Sequence, residues 1–228
     1  MKKITLLFAL FFCTLGFSQN PDFKKIDHSE IKKKITPKDS KFYYPKLIEK
    51  YNQSDTSLTI EEKRALYYGF INSSKYSPYG SRELTDKIST ILNKYSIEKE
   101  DYEKIVEYSD LLLEENPFNI NAINYMLYAY KQLENSSDAI KTTIKLQIIN
   151  DAILSSGDGL TKETAYIVIN TNHEYSLLSS LGYDFGGISS GVEQYDYLSI
   201  KENEQNIEGL YFDASVSANY MANLFKNK

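Results

Sequence analysis

The chain has 228 residues, 42% hydrophobic and 25% charged, with 26 Lys+Arg against 31 Asp+Glu and a net charge of −5. Those proportions exclude wholesale disorder, and the acidic balance gives no electrostatic footprint for nucleic acid. Past the N-terminus no apolar run reaches the length of a membrane span, so no transmembrane segment is expected.

In chain order, Lys2-Lys3, the apolar run Ile4 to Phe17 and the exit Gly16-Phe17-Ser18 form the three parts of a secretory signal peptide. Residues 1–18 are read as that signal, cut after Ser18, and the protein is expected to be exported, periplasmic or extracellular. Cys13 is flanked by Phe12 and by further apolar residues, which fits a lipoprotein cut poorly. The mature chain then has 210 residues, a charge of −7 and no cysteine, which removes disulfides, thiol nucleophiles and thiolate metal sites together.

Residues 19–57 form a Lys-rich segment, with Lys32-Lys33-Lys34 read as a solvated face and a first helix beginning at Pro45. Residues 58–155 read as helical. Thr59-Ile60-Glu61-Glu62 is a capping box. The run Tyr76-Ser77-Pro78-Tyr79-Gly80 breaks the helix it opens. A new helix from Ser81 carries Leu84, Ile88, Ile91, Leu92 and Tyr95, and further helices are expected at 98–115, 120–134 and 137–154. An offset of 34 residues pairs Ile105 with Ala139, Leu112 with Leu146 and Leu92 with Met126. This period over residues 86–153 resembles two tetratricopeptide units; a generic antiparallel helical bundle is the alternative.

Residues 156–228 change character. Ser155 to Gly159 is a turn, Thr164 to Ile169 a strand, and Glu174 to Leu181 a short helix stopped by Gly182. Tyr195–Ile200 and Ile207–Phe212 are strands joined by a polar connection, and Tyr220, Met221, Leu224 and Phe225 mark a closing helix. The expected class is α+β: an N-terminal antiparallel helical, tetratricopeptide-like part, then a small mainly antiparallel sheet with flanking helices.

Two stretches carry a resemblance to a known family. One runs from Phe42-Tyr43-Tyr44-Pro45 through Leu66-Tyr67-Tyr68-Gly69-Phe70 to Tyr76-Ser77-Pro78-Tyr79. The other runs from Gly157-Asp158-Gly159 through Glu163-Thr164-Ala165-Tyr166 and Glu174-Tyr175 to Leu210-Tyr211-Phe212-Asp213. Together they resemble an uncharacterised family of exported Bacteroidota proteins known only as a domain of unknown function. The resemblance implies export and one family unit spanning both segments, and no activity.

Motifs with chemistry are sparse. Gly187-Ile188-Ser189-Ser190-Gly191 matches the nucleophile-elbow spacing, but both histidines, His28 and His173, lie upstream, and the segment is read as a Gly/Ser loop. His173-Glu174 lacks the second histidine of a zinc motif, and the Gly157-Asp158-Gly159 turn lacks the ending of a phosphate loop, so no metal or cofactor is expected. Paired carboxylates are the remaining enzymatic option: Glu163, Glu174, Asp196 and Asp213 sit at element edges, where two that converged would serve a hydrolase, glycan being one substrate class. Tyrosine is the unusual quantity, with 20 in the chain. Its apolar face and polar tip suit interfaces. The leading expectation is therefore a non-enzymatic protein that binds a peptide or protein partner through Tyr67, Tyr68, Tyr76, Tyr79 and Tyr128. The carboxylate-dependent hydrolase is the alternative, and an ion- or small-ligand module at the Gly157–Gly159 turn a third.

Overall fold

The computed structural model describes residues 23, 25–78, 81–192 and 194–226. The expected signal peptide and Tyr79 lie outside them, as do the side chains of Met221, Leu224 and Phe225. The class is α+β, with helices leading and a sheet following.

The first helix, α1 (His28–Ile35), was not legible in the Lys-rich segment. Asp27 caps it by accepting from the Ser29 and Glu30 amides at 2.8 and 3.0 Å, and Lys32 to Lys34 fall in its last turn, where cations oppose the helix dipole. Helix α2 (Tyr44–Asn52) has Pro45 in its first turn, and α3 (Ile60–Gly69) carries the expected capping box between Thr59 and Glu62. A 3-10 turn, Phe70–Asn72, follows. Helices α4 (Arg82–Leu92), α5 (Lys99–Glu115), α6 (Ile120–Gln132) and α7 (Ser136–Leu154) then run as successive antiparallel neighbours. Ser81 caps α4 as expected, but the helix stops at Leu92 and leaves Tyr95 fully exposed rather than on its apolar face.

The sheet has the order β1-β4-β3-β2. Strands β2 (Phe185–Val192), β3 (Tyr195–Ile200) and β4 (Gly209–Asp213) pair antiparallel, while β1 (Tyr166–Ile167) runs parallel to β4. Only Tyr166 and Ile167 of the expected strand pair in the sheet. The stretch read as a Gly/Ser loop is edge strand β2. Its register shifts between Phe185 and Ser189, with Gly187 at φ +96°, and that irregularity conceals any alternating pattern. Helix α8 (Asn172–Ser180) joins β1 to β2 and ends at Gly182 with φ +81°, the left-handed conformation glycine adopts at low cost. Helix α9 (Ser215–Lys226) closes the chain.

One core cluster runs from Ile26 to Ala214, drawing on α1, α2, α3, α7, α8 and the sheet. A second lies among α4, α5 and α6, where Ile105 and Leu112 meet the small Ala122 and Ala129. Phe118, fully buried between α5 and α6, brings Tyr51, Tyr67 and Phe70 around its ring at centroid distances of 5.2, 5.8 and 5.2 Å.

Candidate functional site

The tyrosines singled out above separate by burial. Tyr67 and Tyr68 are 0% exposed and Tyr76 is 8% exposed. Their hydroxyls bond inward: Tyr68 donates to the Ile167 carbonyl at 3.0 Å and Tyr76 to the Ile169 carbonyl at 2.7 Å. A phenol enclosed this way has no face for a partner, so these three are corrected from surface to core. Neighbours on a helix stand about 100° apart, yet both Tyr67 and Tyr68 are covered because α3 lies between α1, α2 and α7. Tyr128 keeps 39% exposure and packs edge-on against Tyr102 at 5.8 Å.

Tyr67 joins a buried chain of hydrogen bonds. The Phe118 carbonyl only accepts, so His173 Nε2, 2.8 Å away, carries the ring proton. Nδ1 is then bare and accepts from the Tyr67 hydroxyl at 2.6 Å, while the Tyr67 oxygen accepts from the Ile169 amide at 3.2 Å. Burial pushes the His173 pKa down to about 4, so the ring is neutral at pH 7.

The four acids sort into two pairs. Glu174, next to His173 on α8, is 2% exposed. Asp196 lies on the face of β3 shared with buried Leu198 and Ile200, and the two carboxyls are hydrogen-bonded to each other. Burial first, and then the Asp196 charge, push the Glu174 pKa up to about 9, so this carboxyl keeps its proton at pH 7; its Oε1 has no partner. Glu163 and Asp213 instead line a cleft of about 530 Å³ with Lys25 and Tyr195. Glu163 is exposed and held low by its own amide and Thr161, and Asp213 accepts from the Ser215 amide at 2.9 Å at the start of α9. The Gly157–Gly159 turn is a brace: Asp158 Oδ1 accepts from Leu160 and Thr164, and the Gly159 carbonyl accepts from the Tyr211 amide of β4 at 2.7 Å. Among the described residues no three His, Cys, Asp or Glu side chains cluster as metal ligands.

A further cleft escaped sequence reasoning. It encloses about 660 Å³ between α2, the 3-10 turn, α5 and α7. Ile48, Phe70, Leu113 and Pro117 give it apolar walls, and Tyr44, Asp110 and Lys145 bring polar groups to it. Gly69 makes room for Tyr44: a Cβ there would stand 3.2 Å from the Tyr44 ring. The Tyr44 hydroxyl is buried with no partner. Lys145 is pulled below the usual lysine pKa by burial, and its Nζ lies 5.8 Å from the Tyr51 ring centroid. Asp110, at the rim, is raised above the usual carboxylate value by burial, which outweighs the opposing pull of Lys145. The three come from α2, α5 and α7, so no sequence window contains them together.

The family model described as Domain of unknown function (DUF4919) matches residues 29–222. The chain belongs to that family. No curated protein and no solved structure matches it significantly. Both acid pairs and the α2–α5–α7 cleft lie within the matched residues. Among the described residues no helix is long and apolar enough to cross a membrane.

The acid pair makes stability pH-dependent with a definite sign. Glu174 has a folded pKa of about 9 against an ordinary 4.5, so between these values the folded chain holds a proton the unfolded chain has released. Its contribution is fully present below pH 4.5 and is lost as pH rises towards 9, at up to about 1.4 kcal/mol per pH unit. Glu174→Gln, which can still donate to Asp196 and does not ionise, is expected to be more stable than the parent at pH 8 and close to it at pH 4. Urea unfolding across that range measures the difference; a gap that failed to widen with pH would refute the assignment.

Proposed function

We propose that this is an exported, non-enzymatic protein that binds a peptide or protein partner through its helical part. The observation that carries the reading is the α2–α5–α7 cleft, with apolar walls and with Lys145 and Asp110 as opposite charges. Its volume lies within the range of ligand sites, whose walls are mostly apolar with a few placed polar groups. The succession of α4–α5 and α6–α7 hairpins, whose helices start 38 and 37 residues apart rather than the 34 of the sequence offset, supports a helical-repeat, tetratricopeptide-like character in which stacked hairpins present a continuous surface. The tyrosine surface gives way to this cleft, with Tyr128 as the one described member still open to solvent contact.

The cleft is tested with peptides selected from a displayed random library. Asn52 is exposed and lines the cleft, so Asn52→Trp obstructs it without entering the core. Selected peptides are expected to lose at least about tenfold in affinity for that variant, roughly one ligand-sized polar contact's worth. They should bind Ile140→Glu, on an exposed position of α7, like the parent. Equal binding to all three proteins would place the partner elsewhere.

Export rests on the Lys2-Lys3 start, the apolar run to Phe17 and the small residues at Gly16 and Ser18. Protein recovered from its native host is expected to begin at Gln19, read by intact mass; an unprocessed Met1 terminus would remove this part of the reading.

A second reading, a carboxylate-dependent hydrolase, is favoured by the buried Glu174 carboxyl, which keeps its proton beside Asp196. Hydrogen-bonded carboxyls are far closer than the ~5–9.5 Å that glycoside chemistry needs. They resemble instead the like-charge pair that holds one proton in acid proteases. A glycan-directed version rests on Glu163 and Asp213, which share their own cleft. Fluorogenic peptides and nitrophenyl glycosides separate the two: turnover abolished by Glu174→Gln supports the first, turnover abolished by Asp213→Asn the second. No turnover by the parent protein on either panel ends both.

A further inference from the structure

We infer that the α2–α5–α7 cleft takes a short peptide with both ends free, its carboxylate at Lys145, its ammonium at Asp110, and an apolar side chain between them. The inference rests on the proposed binding role of the helical part and adds the chemistry of what is bound.

Size is the first consideration. About 660 Å³ accommodates a ligand of a few residues and excludes a folded domain. Charge is the second. Lys145 and Asp110 sense each other across the cleft, yet no ion pair closes between them. Elsewhere on the same helical part opposite charges do close: Lys63 on Asp151 at 2.6 Å, Lys50 on Glu62 at 2.9 Å, and Lys94 on Asp101 at 2.6 Å. The cleft lining therefore presents both signs of charge, which a ligand that carries both signs can match.

Other ligand classes answer fewer of these groups. A neutral sugar leaves both charges unmatched. A simple anion meets Lys145 but is repelled by Asp110 and the neighbouring Glu114, and a polyamine meets Asp110 but is repelled by Lys145 and Lys75. A zwitterion satisfies both walls, and the apolar surfaces of Ile48, Phe70 and Leu113 ask for an apolar side chain.

Calorimetric titration of the purified protein with Ala-Leu-Phe tests this in four forms: both ends free, N-acetylated, C-amidated and doubly blocked. Each block is expected to weaken binding by about tenfold or more, as loss of a charge-assisted contact does. Lys145→Gln should cancel the effect of amidation and Asp110→Asn the effect of acetylation. Lys145→Arg, which keeps the charge, should retain the amidation effect and so separates recognition from damage to the fold. Equal affinity for all four peptides, lost together in Asn52→Trp, would overturn end recognition and leave the cleft as a general peptide site. Absence of binding by any of the four at millimolar concentration would overturn the inference outright, and the selected peptides would then decide the broader reading by themselves.

Discussion

The packing of α3, α8 and the α5–α6 connection turns on a histidine that burial keeps neutral at pH 7. His173 is 1% exposed, and both ring nitrogens are occupied by groups that accept only one tautomer. Its bond to the Phe118 carbonyl ties α8 to the α5–α6 connection, and its bond to Tyr67 ties α8 to α3. Tyr67 in turn fixes the Ile169 amide, the point from which the chain leaves β1 for α8. A buried polar chain of this kind is stabilising only when every member is satisfied, because a single unpaired group in low dielectric costs about 1–3 kcal/mol. Three distant segments are thus held to one register.

The same logic explains the tyrosines. The only cysteine is Cys13, so no disulfide staples the fold. Tyrosine takes part of that role. Each buried ring contributes apolar area, and three of the hydroxyls reach a backbone carbonyl far along the chain: Tyr51 at Pro117 at 2.8 Å, Tyr68 at Ile167, Tyr76 at Ile169. The ring fills a core position while its tip satisfies a distant backbone carbonyl, which phenylalanine cannot do. Abundance of tyrosine therefore reports a core built around irregular connections, and the sequence pattern alone does not distinguish that from an interface.

Much of the fold was legible because local chemistry and global structure agree. The Thr59–Glu62 box, Ser81, Pro45 and Gly182 mark helix ends where the structure has them. Strand β3 alternates as its neighbours require. What escaped has identifiable causes. Helix α1 exposes most of its length and buries only Ile35 fully, so its apolar stripe is too thin to read. Strand β2 has little intrinsic strand propensity and is held by pairing to β3, a tertiary effect. For the site, Glu174 reads as an element-edge residue if the helix begins with it. It starts at Asn172, which puts His173 and Glu174 one turn ahead of buried Leu177 and Leu178 on the inward side. That i, i+4 spacing was the available signal. The cleft of Tyr44, Asp110 and Lys145 left none, since its groups meet only when α2, α5 and α7 have packed.

Two buried oxygens without partners remain to be weighed against each other, because each stands in a candidate site. Glu174 Oε1 is accounted for within the fold: the carboxyl keeps its proton, donates to Asp196, and a neutral acid tolerates one idle lone-pair oxygen at modest cost. The Tyr44 hydroxyl has a proton to give and no acceptor, and burial pushes it further towards the protonated form. Both oxygens are sealed within the fold, so neither is open to a ligand. What sets the helical cleft apart from the acid pair is its wall chemistry: Ile48, Phe70 and Leu113 beside Lys145 and Asp110 combine apolar surface with both signs of charge, the combination on which the proposed binding role rests.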